Sequence, residues 1–324
     1  MSSSSAPLVS VLIPAYNAER TIGAAISGAL AQTYENLEVV VVDDGSTDAT
    51  RAICESFGDL ITFASIENSG TAGARNAAIK RARGDFLALC DADDVLLPPH
   101  VEAAMAAWEA AGGGRRFVHG DAYLLTAGGI AHGRTVFPVP TPPAQQQRLR
   151  ILEANYVSIF AVMPAQMARE LGGFTPGVYL EDWDLWMRAV FAGWEVVAQP
   201  TPHALYRTGG ESKSADRESV RASETQMLRR IADDPGVSLS AAERDYLALR
   251  LAGDSPRDLI AEAETALRDG DPGRARELFE RASRLWPSNR NLRIKTASMA
   301  VPGVPALWRR RLRGIDAGLG REVG

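Results

Sequence analysis

The sequence predicts an α/β protein: a Rossmann-like, mostly parallel mixed sheet with helices on both faces, followed by an α-helical C-terminal extension. Two observations predict the sheet. Runs of five or six β-branched and aliphatic residues alternate with longer stretches of helical spacing, which is the strand–helix–strand order of a parallel sheet. These runs are apolar throughout rather than at every second position, as strands covered on both faces require. The extension is predicted by a change of composition, because beyond about residue 215 Ala, Arg, Glu and Leu dominate at helical spacing.

The elements follow in order. Val9 to Ile13 reads as a buried strand stopped by Pro14 and the turn formers around Asn17. Ala18 to Gln32 carries Ile22, Ala25, Ile26, Ala29 and Leu30 on one helical face. Leu37 to Val42 is a second strand, running into Asp43-Asp44-Gly45-Ser46, and Thr47 to Phe57 a helix capped by Ser46 or Thr47. Ile61 to Ser65 is a strand, Ala72 to Arg83 a helix, and Phe86 to Cys90 a further strand. A helix from Pro98 to Ala111 is ended by Gly112-Gly113-Gly114. Phe117 to Leu125 and Ile130 to Val136 read as two strands about a Gly-rich turn, before a Pro-rich loop from Phe137 to Pro143. Helices are expected over Gln145 to Ala154, over Ala165 to Leu171 with Pro164 at its first position, and over Asp182 to Ala192.

Residues 1–7 are expected to be a disordered Ser-rich tail, 8–215 the sheet domain and 216–324 the helical region. Near residues 259–289, Gly270-Asp271 followed by Ala275, Phe279, Ala282 and Pro287 has the spacing of one tetratricopeptide-like unit. Stable arrays need about three such units, so a plain helical appendage is the leading expectation, with self-association or protein docking as its alternative uses. The end carries Arg309, Arg310, Arg311 and Arg313 beside Leu307, Trp308 and Leu312; this reads as a solvated face or as a helix lying on a membrane surface.

The bulk numbers exclude several classes. With 324 residues, 46% of them hydrophobic and 23% charged, the chain can build a large core. A net charge of -5 gives no electrostatic case for nucleic acid. Cys54 and Cys90 make neither a disulfide framework nor a zinc signature and read as reduced thiols. No apolar run has the ~18 residues of a membrane span, and no signal peptide is visible, so a soluble cytoplasmic protein is expected.

Three acidic clusters carry the chemistry. Asp91-Ala92-Asp93-Asp94 places three carboxylates at a strand end, where they repel one another unless a cation is present. Hard divalent ions such as Mn²⁺ or Mg²⁺ take such oxygen ligands together with phosphates and water; a solvated acidic turn is the plain alternative. Asp43-Asp44 ends another strand, and one of the pair can accept a nucleobase N–H while Tyr16, beyond the first strand, offers a face for the base. Glu181-Asp182-Trp183-Asp184-Leu185-Trp186 opens a helix whose dipole favours carboxylates, and it can equally supply a general base between the aromatic walls of a sugar pocket. Arg75 and Arg188 read first as salt-bridge partners.

Taken together and in order, Pro14-Ala15-Tyr16-Asn17, Val41 to Asp48, Ala74-Arg75-Asn76, Gly84-Asp85, Asp91 to Asp94 and Glu181 to Trp186 resemble the inverting glycosyltransferases of family 2, which have the GT-A fold. The resemblance covers about residues 8–215. It implies a nucleotide-sugar donor, most often UDP-linked, a hydroxyl-bearing glycan or other acceptor, and Mn²⁺ or Mg²⁺. It implies that Pro14, Tyr16, Asp44, Arg75, Asp91 and Ala92 line the donor nucleotide, with Tyr16 stacking on the base, Asp44 binding it and Asp91 near the ribose. Asp93 would ligate the metal, Asp182 would be the catalytic base, and Glu181 and Trp183 would line the acceptor and sugar pocket. One departure stands out: family members often carry a His after a Tyr-Arg like Tyr206-Arg207, and here Thr208-Gly209-Gly210 follows, a pair of glycines that suits a closing loop. The alternative in another class is a catalytically silent sugar-nucleotide-binding or scaffold protein working through its helices. Intact Asp93 and Asp182 argue against it. A nucleotidyltransferase would leave Asp182 without a role, and no G-x-G-x-x-G supports a dehydrogenase.

Overall fold

A computed structural model describes residues 6–136, 141–208, 216–253 and 255–319, in two compact units: Met1–Ile151 with Asn155–Glu224, and Leu152–Ala154 with Thr225–Gly324. The elements are β1 Val9–Ala15, α1 Ile22–Leu30, β2 Leu37–Asp43, α2 Thr50–Glu55, β3 Thr62–Ser65, α3 Gly70–Arg81, β4 Phe86–Leu89 and β5 Val95–Leu96. There follow α4 His100–Ala110, β6 Arg116–His119, β7 Tyr123–Thr126, β8 Gly129–Thr135, α5 Ala144–Glu153, β9 Ala161–Pro164 and α6 Ala165–Glu170. Then come α7 Glu181–Phe191, β10 Glu195–Ala198, β11 Ala204–Arg207 and the helices α8 Arg217–Asp233, α9 Ala241–Leu251, α10 Pro256–Asp269, α11 Pro272–Leu285, α12 Arg290–Ser298 and α13 Val304–Leu319.

The main sheet has seven strands in the order β10-β6-β9-β4-β1-β2-β3. All neighbours are parallel except β9, which runs antiparallel between β4 and β6. The expected mixed, mostly parallel sheet is therefore present. Register sets the position of the site: Ala15 pairs with Asp43 and Asp43 with Ser65, so the carboxyl ends of β1, β2 and β3 stop level with one another. Ligands of open α/β sheets sit beyond such ends. The strands are buried on both faces, with Val11, Ile13, Val39 and Val41 on one and Leu12, Val40 and Val42 on the other, all at 0–1% exposure.

Several local expectations are corrected. Phe117 to Leu125 is not one strand. It breaks at Gly120-Asp121, with β6 in the main sheet and β7 in a separate four-stranded sheet ordered β5-β11-β7-β8. Asp121 fixes the break, since its Oδ1 accepts from the N–H groups of Ala122 (2.7 Å) and Val136 (3.1 Å). Gly120 lets these side chains come close, since a Cβ would lie 3.2 Å from both Gln199 Oε1 and His100 Cε1. Pro164 ends β9 and caps α6 from outside rather than opening it. The strands β5, β10 and β11 are two to four residues long and carry no periodicity that a sequence reading could use. Ala6 and Pro7, expected in a loose tail, are tied by their carbonyls to Asn36 Nδ2 (2.7 Å) and Tyr34 Oη (2.8 Å). Residues 1–5, residues 137–140 of the Pro-rich loop, and Gly209-Gly210 lie outside the described residues.

The first unit also runs past residue 215, to Glu224 inside α8. Ser223 explains this, because its hydroxyl accepts from the N–H groups of Tyr179 (2.9 Å) and Leu180 (3.2 Å) just before α7.

The second unit holds its own core. Leu259, Ala263 and Leu267 of α10 meet Ala275, Leu278, Phe279, Ala282 and Leu285 of α11, and Leu292, Met299 and Leu312 close over them. Gly270 (φ 89°) ends α10 in the left-handed conformation, and Asp271 caps α11 by accepting from Arg274 N at 2.9 Å. Phe279 is fully buried, so Phe279→Ala is expected to destabilise this unit by about 3–5 kcal/mol, read as a lower midpoint in urea. An unchanged midpoint would contradict the packing described. The basic end is anchored inward: Trp308 Nε1 donates to Ser298 Oγ (3.1 Å), its ring lies under Lys295 and Arg311, Leu312 is buried, and Arg309 Nε donates to the carbonyl of Arg268 at 3.1 Å. Of the apolar residues expected on that face, Leu312 is buried and Trp308 partly so, while Leu307 stays 66% exposed. No described helix is long and apolar enough to cross a membrane.

Candidate active site

The loops after β1 and β2 are built as one unit. Asn17, the one non-glycine residue with a positive φ (47°) among those described, accepts from Thr47 N (2.9 Å) through Oδ1, while its own N–H donates to Ser46 Oγ (3.0 Å). Asp44 N donates to Ala15 O at 2.8 Å. These ties leave Tyr16 standing out, 52% exposed, beside the end of β2. Of the two aspartates there, Asp43 holds the turn with both oxygens, accepting from Ser46 N (3.1 Å) and Ser65 Oγ (2.9 Å). Asp44 is 3% exposed and takes Ser69 N (2.8 Å) and Ser69 Oγ (3.0 Å) on a single oxygen, Oδ1. Gly45 (φ 75°) allows the close pass, since a Cβ would sit 3.0 Å from Asn68 N.

The second part of the site follows β4. Ligand atoms of Asp91, Asp93 and Asp94 lie within 4.8 Å of one another, with Ala92 nearly buried between them and Asp93 exposed. Asp94, not singled out from the sequence, is 2% exposed. Its Oδ1 accepts from Arg207 N at 2.9 Å, and its buried Oδ2 has no hydrogen-bond partner. Burial, then the neighbouring Asp91 carboxylate, pushes Asp94 up to about 8 against the Arg207 N–H. Arg207 Nε also donates to the carbonyl of Asp93 at 2.8 Å, so β11 grips the acidic loop twice. A buried carboxylate oxygen without a donor, beside two more carboxylates, is the donor set that a hard divalent cation satisfies. The residues present fit Mn²⁺ or Mg²⁺. The family resemblance implies Asp93 as ligand; Asp94, from the same acidic run, lies beside it. His203 meets the Gln199 side chain through Nδ1.

The third part is the start of α7. Asp182 is half-buried, and its Oδ2 accepts from Asn155 Nδ2 at 3.2 Å. Desolvation, then the adjacent Glu181 charge, raises its pKa to about 6, while the Arg75 cation and the Trp183 N–H pull the other way. The aromatic walls expected around it are elsewhere. Trp183 is 3% exposed and donates its indole N–H to Ile151 O (2.8 Å), and Trp186 is fully buried, stacked on Phe117 at 5.2 Å. A helix this deep in the unit turns its indoles to the core. Asp184 and Arg188 form an ion pair (2.8 Å), and Arg188 also donates to the carbonyls of Leu171 and Gly173, both at 2.7 Å, a structural clamp.

Arg75 joins the parts. Its Nη2 reaches Asp91 Oδ1 at 2.6 Å and its Nη1 reaches Glu181 Oε1 at 2.9 Å, and the guanidinium lies over the Phe174 ring, 5.1 Å from its centroid. Pro14 lies within β1 and is buried, short of the loop that carries Tyr16.

The model described as glycosyl transferase family 2 matches residues 10–172, half of the chain. The chain belongs to glycosyl transferase family 2. An uncharacterized glycosyltransferase of Rickettsia felis is 32% identical over 188 residues, 56% of this chain and 31% of that protein. The Escherichia coli UDP-Glc:alpha-D-GlcNAc-diphosphoundecaprenol beta-1,3-glucosyltransferase WfgD is 45% identical over 97 residues, 29% of this chain and 38% of that protein. This family 2 chain thus spans about a third of the length of such curated relatives. Its fold is GT-A: S. aureus TarS 1-349 in complex with UDP-GlcNAc superposes with a TM-score of 0.63 at 18% identity, covering 96% of this chain and 92% of that one. The mannosyltransferase PcManGT from Pyrobaculum calidifontis, in complex with GDP-Man and Mn2+, gives 0.56 at 19% identity, covering 94% and 88%.

Proposed function

We propose that the protein is an inverting glycosyltransferase that moves a sugar from a UDP-type nucleotide-diphosphate sugar to an acceptor hydroxyl in glycan, polysaccharide or glycoconjugate assembly. One observation carries the reading: Asp182, a half-buried carboxylate raised to about 6, follows Glu181, whose ion pair with Arg75 ties it to a three-carboxylate loop with an unsatisfied buried oxygen. The donor names of the structural neighbours and the UDP-Glc relative support the substrate class. The relative's lipid-diphosphate-linked sugar supports a glycoconjugate acceptor. Two free, buried thiols, Cys54 and Cys90, suit work in the reducing cytoplasm.

In this reading Tyr16 stacks on the base and the buried Asp44 accepts its N–H, with Asp91 towards the ribose. Asp93 and Asp94 would hold Mn²⁺ or Mg²⁺, which would neutralise charge on the diphosphate leaving group. Asp182 takes the proton of the acceptor hydroxyl as its oxygen forms the bond to the anomeric carbon, and the carbon–oxygen bond to the diphosphate breaks with its electron pair going to phosphate. A single displacement inverts the anomeric centre, and one base suffices for it.

The test uses UDP and Mn²⁺ with the whole chain. UDP at a hundred times its Kd is expected to add about 2.7 kcal/mol of stability in the presence of the metal and far less without it. NMR of the transfer product should show a β-linkage from an α-linked donor. No metal-dependent stabilisation sinks the donor assignment, and a retained α-configuration sinks the mechanism.

A further inference from the structure

We infer that Arg75 is a positioning residue that holds the base-bearing helix α7 to the acidic donor loop, and not a ligand of the donor phosphates. The inference rests on the function proposed above and narrows the donor-lining role that the family resemblance implies for Arg75. Arg75 is 3% exposed, and its guanidinium lies over the Phe174 ring. Two of its guanidinium nitrogens are engaged, Nη2 by Asp91 (2.6 Å) and Nη1 by Glu181 (2.9 Å), residues from two elements far apart in the sequence. A buried guanidinium stays charged, and its planar fork can address two carboxylates at once. A phosphate would have to displace one of these partners and leave a carboxylate without its cation.

The position of this bridge gives it a second consequence. Glu181 is the first residue of α7 and Asp182 the second, so the Arg75–Glu181 bond fixes the backbone that presents the base. Around Asp182 stand the charges of Glu181 and Asp91, both repelling its ionised form, the Arg75 cation favouring it, and the neutral donors Asn155 Nδ2 and Trp183 N–H. Removing the cation exposes Asp182 to two uncompensated carboxylates. The proton it must shed before acting as a base then binds more tightly.

The experiment compares Arg75→Met and Arg75→Lys with the unchanged protein, all checked for folding by circular dichroism and thermal midpoint. Three quantities are measured: Kd for UDP with Mn²⁺, kcat for hydrolysis of UDP-glucose, and the acid limb of the pH–rate profile. For Arg75→Met, kcat is expected to fall about 10²-fold or more and the acid limb to move up by roughly one pH unit, with Kd for UDP within about threefold. Arg75→Lys keeps the charge but not the fork, so it should retain the position of the acid limb while losing turnover. If Arg75→Met misfolds, Arg75→Lys carries the test alone. A tenfold or greater weakening of UDP with kcat and acid limb unchanged would make Arg75 a donor ligand and overturn the inference. An unchanged protein that neither binds UDP nor hydrolyses UDP-glucose overturns the proposed function itself, and the role of Arg75 with it.

Discussion

Asp182→Asn is expected to cut glycosyl transfer about 10³-fold while leaving UDP binding intact, within the 10²–10⁴ range that general bases contribute. The amide is close to isosteric, and its carbonyl can still accept from Asn155 Nδ2, so the start of α7 keeps its shape. What is lost is the ability to take a proton. In the unchanged protein, the ionised fraction of a carboxylate whose pKa is about 6 falls tenfold per pH unit below that value. kcat/KM should therefore climb with pH to about 6 and level off above it. In Asp182→Asn this limb should vanish.

The same shift has a stability side. A folded-state pKa above the carboxylate's ordinary value of 3.8 means that ionisation works against folding, a cost that grows as pH rises from near 4 and is complete above about 6. Asp182→Asn should thus raise the thermal midpoint at pH 7–8 and do so less at pH 4. A variant that keeps full turnover, or one that loses stability at pH 8, contradicts the assignment of Asp182 as a desolvated base.

Asp93→Ala is expected to abolish the metal-dependent part of UDP stabilisation and to lower turnover by about 10³-fold, the scale on which a Lewis acid at the leaving group acts. Asp93 is exposed and its carbonyl is held by Arg207, so removing the carboxylate should leave the loop in place. Asp94→Asn separates charge from shape. Asn can still accept from Arg207 N through its carbonyl oxygen, but a neutral amide now occupies the place of the buried, unpartnered oxygen. A 10- to 100-fold higher Mn²⁺ requirement is expected, with near-normal turnover at saturating metal. Treatment of the unchanged protein with a chelator should reproduce the Asp93→Ala defect, and Mn²⁺ or Mg²⁺ should restore it. Turnover indifferent to chelator would remove Asp93 and Asp94 from this role.

How much of this was legible beforehand depends on the element. The β1–β2–β3 edge, with Tyr16 and Asp44 beyond it, was readable because continuous apolar runs leave a parallel sheet as the plausible partner and place strand ends together. The roles proposed for Asp93 and Asp182 come from the order of motifs. Asn155 was not readable: it precedes an apolar stretch and carries no local signal, and only folding sets it against Asp182. The orphaned oxygen of Asp94 was equally hidden, because burial is a property of what packs on top, in this case β11. Trp183 shows the opposite error. Aromatics beside a carboxylate invite a sugar-pocket reading, yet the register of α7 turns this indole to Ile151.

The sequence by itself determined the class of sheet, the succession of its first strands along the chain, the three acidic clusters and the family. These are short-range facts, carried by the period of apolar residues and by residues adjacent in the chain. Only the tertiary structure decided that Asp91 and Glu181, ninety residues apart, share one buried arginine, that Asp94 is buried against Arg207, and that Trp308 turns into its own helical unit. Each depends on which side chains lose water together. Desolvation belongs to contacts made across the fold, and no local stretch of sequence records it.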